Sequence, residues 1–139
     1  MDQGELQRSP VLEELQRRFY AACNSGDLAF VEAHLSHAPQ TLFLGTDPDE
    51  VWDRAATLRA VAEQSGAGVR FEGGAPQAWE MGDVGWVVDL EPRFYLAEVV
   101  APFRLTSIFR REDGDWRIVH WHCSLPVSNE EAMGQELPT

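Results

Sequence analysis

After Gly68 the pattern of the chain changes to a period of two, and the chain turns back on itself at Asp113-Gly114. Successive side chains of a strand point to opposite faces, so such a stretch commits the chain to antiparallel strands with a buried and an open side. Val84, Trp86, Val88 and Leu90 alternate with Gly85, Val87, Asp89 and Glu91. Val99 to Arg111 reads as one long strand, Asp113-Gly114 as a hairpin turn, and Asp115 to Leu125 as the last strand. Upstream, Val69–Phe71 and Gln77–Met81 are strand-like, with Gly73-Gly74 and Pro76 marking a bend and Gly82-Asp83 a turn.

The first half has a different period. Ser9-Pro10 predicts a helix start, with Ser9 as N-cap and proline at the first helical position. Leu12, Leu15, Phe19 and Ala22 then recur at helical spacing until Asn24-Ser25-Gly26 ends the pattern. Asp27 is placed to cap a second helix running to about Ser36, with Leu28, Val31 and Leu35 inward. Thr41–Leu44 reads as a short strand. In Asp47-Pro48-Asp49-Glu50 the acids sit as N-cap, first-turn residue and N3 of a capping box, which predicts a third helix from Asp47 to Gly66. That reading accounts for every carboxylate in the stretch. A calcium loop would need further oxygen ligands and a glycine turn. Three helices followed by antiparallel strands is an α+β order.

With 139 residues the chain suits one domain, with a folded core over 9–126 and a loose acidic tail over 127–139. A formal net charge of −12 argues against nucleic acid or an anionic membrane as partner. All eleven basic residues are arginine, as a GC-rich coding bias would give. The N-terminus MDQGELQRS lacks a secretory signal pattern, and no apolar run reaches the length of a membrane span, so a cytoplasmic protein is expected. Cys23 and Cys123 read as reduced thiols.

The alternation sorts residues into faces. Val119, Trp121, Cys123 and Leu125 share one face of the last strand; Trp116, Ile118, His120, His122 and Ser124 share the other. Phe103, Leu105, Ser107 and Phe109 oppose Arg104, Thr106, Ile108 and Arg110. Taking Trp86, Val88 and Leu90 as inward completes an apolar wall and leaves no acid on it. The mixed outer face, with Arg104, Trp116, Ile118, His120 and His122, is then the expected subunit interface. His120 and His122 could share an ion, yet no third ligand has motif spacing, so no metal and no cofactor are expected.

The run DGDWRIVHWHCS, Asp113 to Ser124, resembles the closing hairpin of the SnoaL-like and kinase-association-domain branch of the nuclear-transport-factor-like, ketosteroid-isomerase-like superfamily. LGTDPDEVW, Leu44 to Trp52, is similar to a stretch recurrent in bacterial SnoaL-like proteins. The resemblance spans Leu12 to Pro126. It implies a cone-shaped, curved antiparallel sheet packed on three N-terminal helices, with a pocket at the wide end and a homodimer through the sheet. It does not fix an activity. Pocket arginines of the calcium/calmodulin-dependent kinase association domains align with Leu90, Ser107 and Cys123, none of them basic. The steroid isomerases need an Asp base and an oxyanion donor; the two tyrosines here are Tyr20, on the first helix, and Tyr95, in a connection between strands.

The resulting expectation is a small-molecule-binding protein whose mainly apolar pocket takes an apolar or aromatic organic ligand. Its lining is expected to include Trp52, Trp86, Leu90, Leu105, Ser107, Trp121 and Cys123, with Tyr20 or Trp79 near the mouth. Ser107 would supply the orienting hydrogen bond. A cyclase-, isomerase- or dehydratase-type enzyme is the alternative, with its catalytic residues unknown and Asp27 or Asp53 as candidates acting through water. An oligomerisation module without ligand chemistry is the third reading.

Overall fold

In the computed structural model, which describes residues 4–138, short β1 (Gln7–Arg8) precedes helices α1 (Pro10–Ser25) and α2 (Leu28–His34). A small hairpin, β2 (Leu42–Leu44) and β3 (Val51–Trp52), leads into α3 (Arg54–Gly66). Then come β4 (Arg70–Glu72), β5 (Gln77–Met81), β6 (Val84–Asp89), β7 (Arg93–Leu96) and β8 (Val99–Pro102). The chain closes with β9 (Arg104–Glu112), β10 (Asp115–Ser124) and the short α4 (Asn129–Met133). Met1 to Gln3 of the polar N-terminus and Thr139 of the tail lie outside the described residues.

The first two caps follow the sequence. The Ser9 hydroxyl accepts from the Leu12 amide at 3.3 Å with Pro10 behind it, and Gly26 ends α1 at φ 69°. Asp27 accepts from Phe30 N at 3.1 Å and caps α2. The third helix starts later than its capping box predicts. Asp47–Glu50 is instead the turn of a hairpin: Glu50 N donates to Asp47 O, Asp47 Oδ1 accepts from Asp49 N, and Gly45 N donates to Glu50 O. Phe43 then pairs with Trp52 and Leu44 with Val51. An Asp-Pro pair serves a β-turn as well as it serves a helix start, because both use the fixed proline φ and a side-chain acceptor two or three residues upstream of an amide. Val-Trp beside the free edge of β2 tips the choice. Asp53 is the actual cap, accepting from Ala56 N at 2.8 Å.

Seven strands form a sheet in the order β1-β5-β6-β9-β10-β2-β3, and β4-β7-β8 form a second, smaller one. The large sheet is antiparallel except where β2 runs parallel to β10. The long strand expected from Val99 is two strands, β8 and β9, separated at Phe103, which is buried. Tyr95 lies not in a connection but on β7, paired with Arg70 and Val100. The helices cover one face of the large sheet, and the core lies between: Leu12, Phe19, Val31, Leu35, Phe43, Val87, Phe109 and Ile118 are buried there. The fold is thus the α+β arrangement that the helix and strand order implied, with the curved, cone-shaped sheet that the resemblance implied. The tail is not wholly irregular, since Ser128 caps a single exposed turn, α4. Among the described residues no helix is long and apolar enough to cross a membrane.

Two strands present their faces differently from simple alternation. In β10, Ile118 pairs with Phe109 but His120 pairs with Ile108, leaving Val119 as an extra, bulged residue. The inward set therefore changes parity: Trp116 and Ile118 are buried before the bulge, Trp121 and partly buried Cys123 after it. Trp116 and Ile118, expected at a subunit interface, are core residues. In β6 the inward residues are Gly85, Val87 and Asp89, aligned with Phe109, Ser107 and Leu105, while Trp86, Val88 and Leu90 face outward. Size explains the inversion. A Cβ at Gly85 would collide with the Leu12 side chain of α1, so this face must be small where the helix crosses it. Asp89 can point inward because its oxygens are satisfied there.

Candidate functional site

Helix α1 supplies the floor of a half-open cavity of ≈190 Å³ between the helices and the wide end of the sheet. For scale, a cavity of about 150 Å³ holds one benzene ring. Gln16, Phe19, Tyr20 and Cys23 project from α1 at spacings of three and four, so one helical stripe faces the space. Leu105, Trp121 and Cys123 come from β9 and β10, Trp52 and Glu50 from the β2–β3 hairpin. Val61 and Gln64 of α3 and Phe71, Phe94 and Phe103 close the remaining sides. The aromatic walls brace one another. Phe19 meets Trp121 edge-on at 5.4 Å between ring centres, Phe43 backs Trp121 at 4.4 Å, and Phe103 touches both Phe71 and Phe94.

Of the residues expected to line a pocket, Tyr20, Trp52, Leu105, Trp121 and Cys123 do so. Trp79 and Trp86 stack on each other on the outer face, with Arg8 over the Trp79 ring. Leu90 is 63% exposed on that same outer face, beside Arg104, His120 and His122. Ser107 points inward but is sealed in the core away from the cavity, its Oγ without a partner. His120 donates from Nδ1 to the Leu42 carbonyl at 2.7 Å, tying β10 to β2. Arg104 makes no ion pair among the described residues, since Asp89 has turned to the other face. Asp27 and Asp53 are exposed helix caps.

Three polar groups near the cavity escaped the reading of faces. Asp89 is fully buried. Its Oδ2 accepts from the Tyr20 hydroxyl at 3.1 Å and from Gly74 N at 3.0 Å, and its Oδ1 from Glu91 N at 3.3 Å. No cation pairs with it among the described residues. Burial, then the charge and hydrogen bond of Asp89, push the Tyr20 hydroxyl well above its ordinary pKa, so it remains a neutral donor to Asp89. Its lone pairs stay available. Gln16 is 1% exposed, faces the cavity, and leaves Oε1 without a partner. Glu50, folded against Gly45 by the hairpin turn, is the one carboxylate in the lining among the described residues, and desolvation raises its pKa. A sequence signal existed for Gln16, a lone polar residue on the stripe Leu12, Phe19, Cys23. None existed for Glu50 once the turn was read as a helix.

Burial pushes both thiols up to about 12, with Glu50 adding its repulsion at Cys123, so neither is a thiolate at neutral pH. Among the described residues no group of three or more His, Cys, Asp or Glu is placed to hold a metal ion.

A cone with one apolar cavity behind its helices defines a class of small α+β proteins, and the sequence agrees with that class. Residues 12–128 match the SnoaL-like domain family, and the chain belongs to it. Its fold is shared by a nuclear-transport-factor-2-like protein of unknown function from Pseudomonas putida, at 18% identity, TM-score 0.73, covering 94% of this chain and 96% of that one. A superfamily member from Salmonella enterica matches at 15% identity and TM-score 0.75, covering 89% and 94%. A protein from Xanthomonas campestris assigned as a calcium/calmodulin-dependent protein kinase II association domain matches at 18% identity and TM-score 0.67, covering 90% and 94%. At these identities the likeness concerns the fold. No curated protein matches the sequence.

Proposed function

We propose that the protein binds a small, mainly apolar organic molecule in the cone cavity. The observation that carries this is the cavity itself: ≈190 Å³ of space framed by Phe19, Trp52, Phe71, Phe103 and Trp121 in a protein that otherwise packs a continuous core. Native mass spectrometry before and after denaturation, with ligand-observed NMR against small aromatic compounds, tests it. Leu105→Trp fills the space from β9. It should remove binding while the protein still melts cooperatively; undiminished binding by that variant would place the ligand elsewhere.

An enzymatic reading has one specific support. Glu50 is a cavity carboxylate with a raised pKa, the kind of group that general acid–base chemistry uses. Asp89 is less suited, because its hydrogen bonds from Tyr20, Gly74 N and Glu91 N hold it in place behind Tyr20. Glu50→Gln separates the two readings: a binding protein keeps its affinity for neutral ligands, whereas an enzyme of the cyclase, isomerase or dehydratase type loses turnover.

The outer sheet face supports a homodimer. Trp86, Val88, Leu90 and Ile108 form an apolar strip, flanked by Arg104, His120 and His122, that the described residues of the protomer leave partly exposed. Leu90→Glu together with Ile108→Glu should yield monomers by size-exclusion chromatography. An unchanged elution volume would refute this interface.

A further inference from the structure

We propose that the cavity selects an apolar amine, an aromatic or aliphatic body carrying one ammonium or comparable donor group, and excludes carboxylic acids of the same shape. The inference rests on the binding reading above and names its ligand class.

Charge comes first. Among the described lining residues Glu50 is the sole carboxylate, and none is an arginine or a histidine. A second negative charge, Asp89, stands directly behind Tyr20 without a cationic partner among the described residues. A ligand carboxylate entering this space would lose its hydration and find only negative charge. An ammonium would gain from both acids in a medium less screening than water.

Unfilled hydrogen-bond capacity comes second and is independent of charge. Gln16 Oε1 is an acceptor with no donor, buried to 1% exposure on the cavity floor. Leaving such a group unpaired is costly, so a donor on the ligand is favoured there. Tyr20, one turn further along α1, spends its hydrogen on Asp89 and so offers the ligand lone pairs only. The rings then fit the same ligand. Phe19, Trp52, Phe71, Phe94, Phe103 and Trp121 line the space, and aromatic faces attract a desolvated cation. The size admits one ring with a short arm, set against the roughly 150 Å³ that a single benzene fills.

The test uses the intact protein and four probes of matched shape at pH 7, followed by isothermal titration and ligand-observed NMR: 2-phenylethylamine, 2-phenylethanol, 3-phenylpropanoate and ethylbenzene. The amine is expected to bind about tenfold or more tightly than the acid, the difference that one ion pair or good charge-assisted contact supplies. The alcohol should fall between them. Glu50→Gln and Gln16→Leu should each weaken the amine several-fold while leaving ethylbenzene unchanged, which shows that the cavity still forms. If ethylbenzene and the acid bind and the amine has no advantage, the ligand class is wrong and the binding reading survives. If no probe binds, both fall. An amine advantage that persists in both variants would also overturn the proposal, since the preference would then arise from the acidic surface in general.

Discussion

Tyr20, Asp89 and Gly74 form the tightest functional detail at the residue scale. The tyrosine hydroxyl and the Gly74 amide share one carboxylate oxygen, and a Cβ at Gly74 would press on Asp89 Oδ1 and on the Glu91 backbone. Tyr20→Phe should therefore destabilise by about 1–3 kcal/mol in denaturant titrations, because it strips a donor from a buried charge. Gly74→Ala should destabilise too, through the clash with backbone that cannot swing aside; a neutral result would mean that the Gly73-Gly74 bend is loose. This triad was illegible in the sequence for a physical reason. Asp89 looks like a solvent-facing member of an alternating strand, and only the partners brought by α1 and the bend make its burial tolerable. Tyr20, between Phe19 and Cys23 on an apolar stripe, was legible, and it does reach the cavity.

Elements were legible where one local signal had one meaning. Ser9-Pro10, Asn24-Ser25-Gly26 and Asp27 specify caps, and the helices begin and end there. Asp47-Pro48-Asp49-Glu50 had two meanings, and the winner was decided by strand pairing of Phe43 with Trp52, a contact that local reading does not see. The correction is measurable: Asp53→Ala should cost about 1 kcal/mol as a lost helix cap, and Asp47→Ala should cost less, since it loosens only an exposed turn. The reverse order would restore the earlier helix start. In β10 the bulge at Val119 changed the fate of Trp116. Buried in the core, with Arg111 stacked over its ring, it should cost about 3–5 kcal/mol on truncation to alanine. A loss near zero would return it to the surface.

At the scale of the whole molecule, charge and cavity are coupled through Glu50. Its pKa is raised in the fold, so protonation favours the folded state. That contribution is complete below the ordinary carboxylate value of 4.5 and disappears as pH rises through the raised one. Glu50→Gln should accordingly melt higher than the parent at pH 7, with the gap closing as pH falls below 4.5; a gap independent of pH would disconnect Glu50 from the cavity's electrostatics. The outer face, by contrast, read in the sequence as a mixed face holding Trp116 and Ile118, and the structure puts Trp86, Val88 and Leu90 there instead, because β6 turns its larger residues away from α1. The bulge at Val119 also has a consequence for how this chain tolerates change in length. A strand with one supernumerary residue carries two reading frames joined back to back: Trp116 and Ile118 keep the first, Trp121 and Cys123 the second. Substitutions within either frame are local events. Losing Val119 would join the frames into one regular alternation that keeps Trp116, Ile118, Trp121 and Cys123 on the inward side and the ladder with β9 in register, so this is a position where the strand can shorten by one residue without turning its faces over.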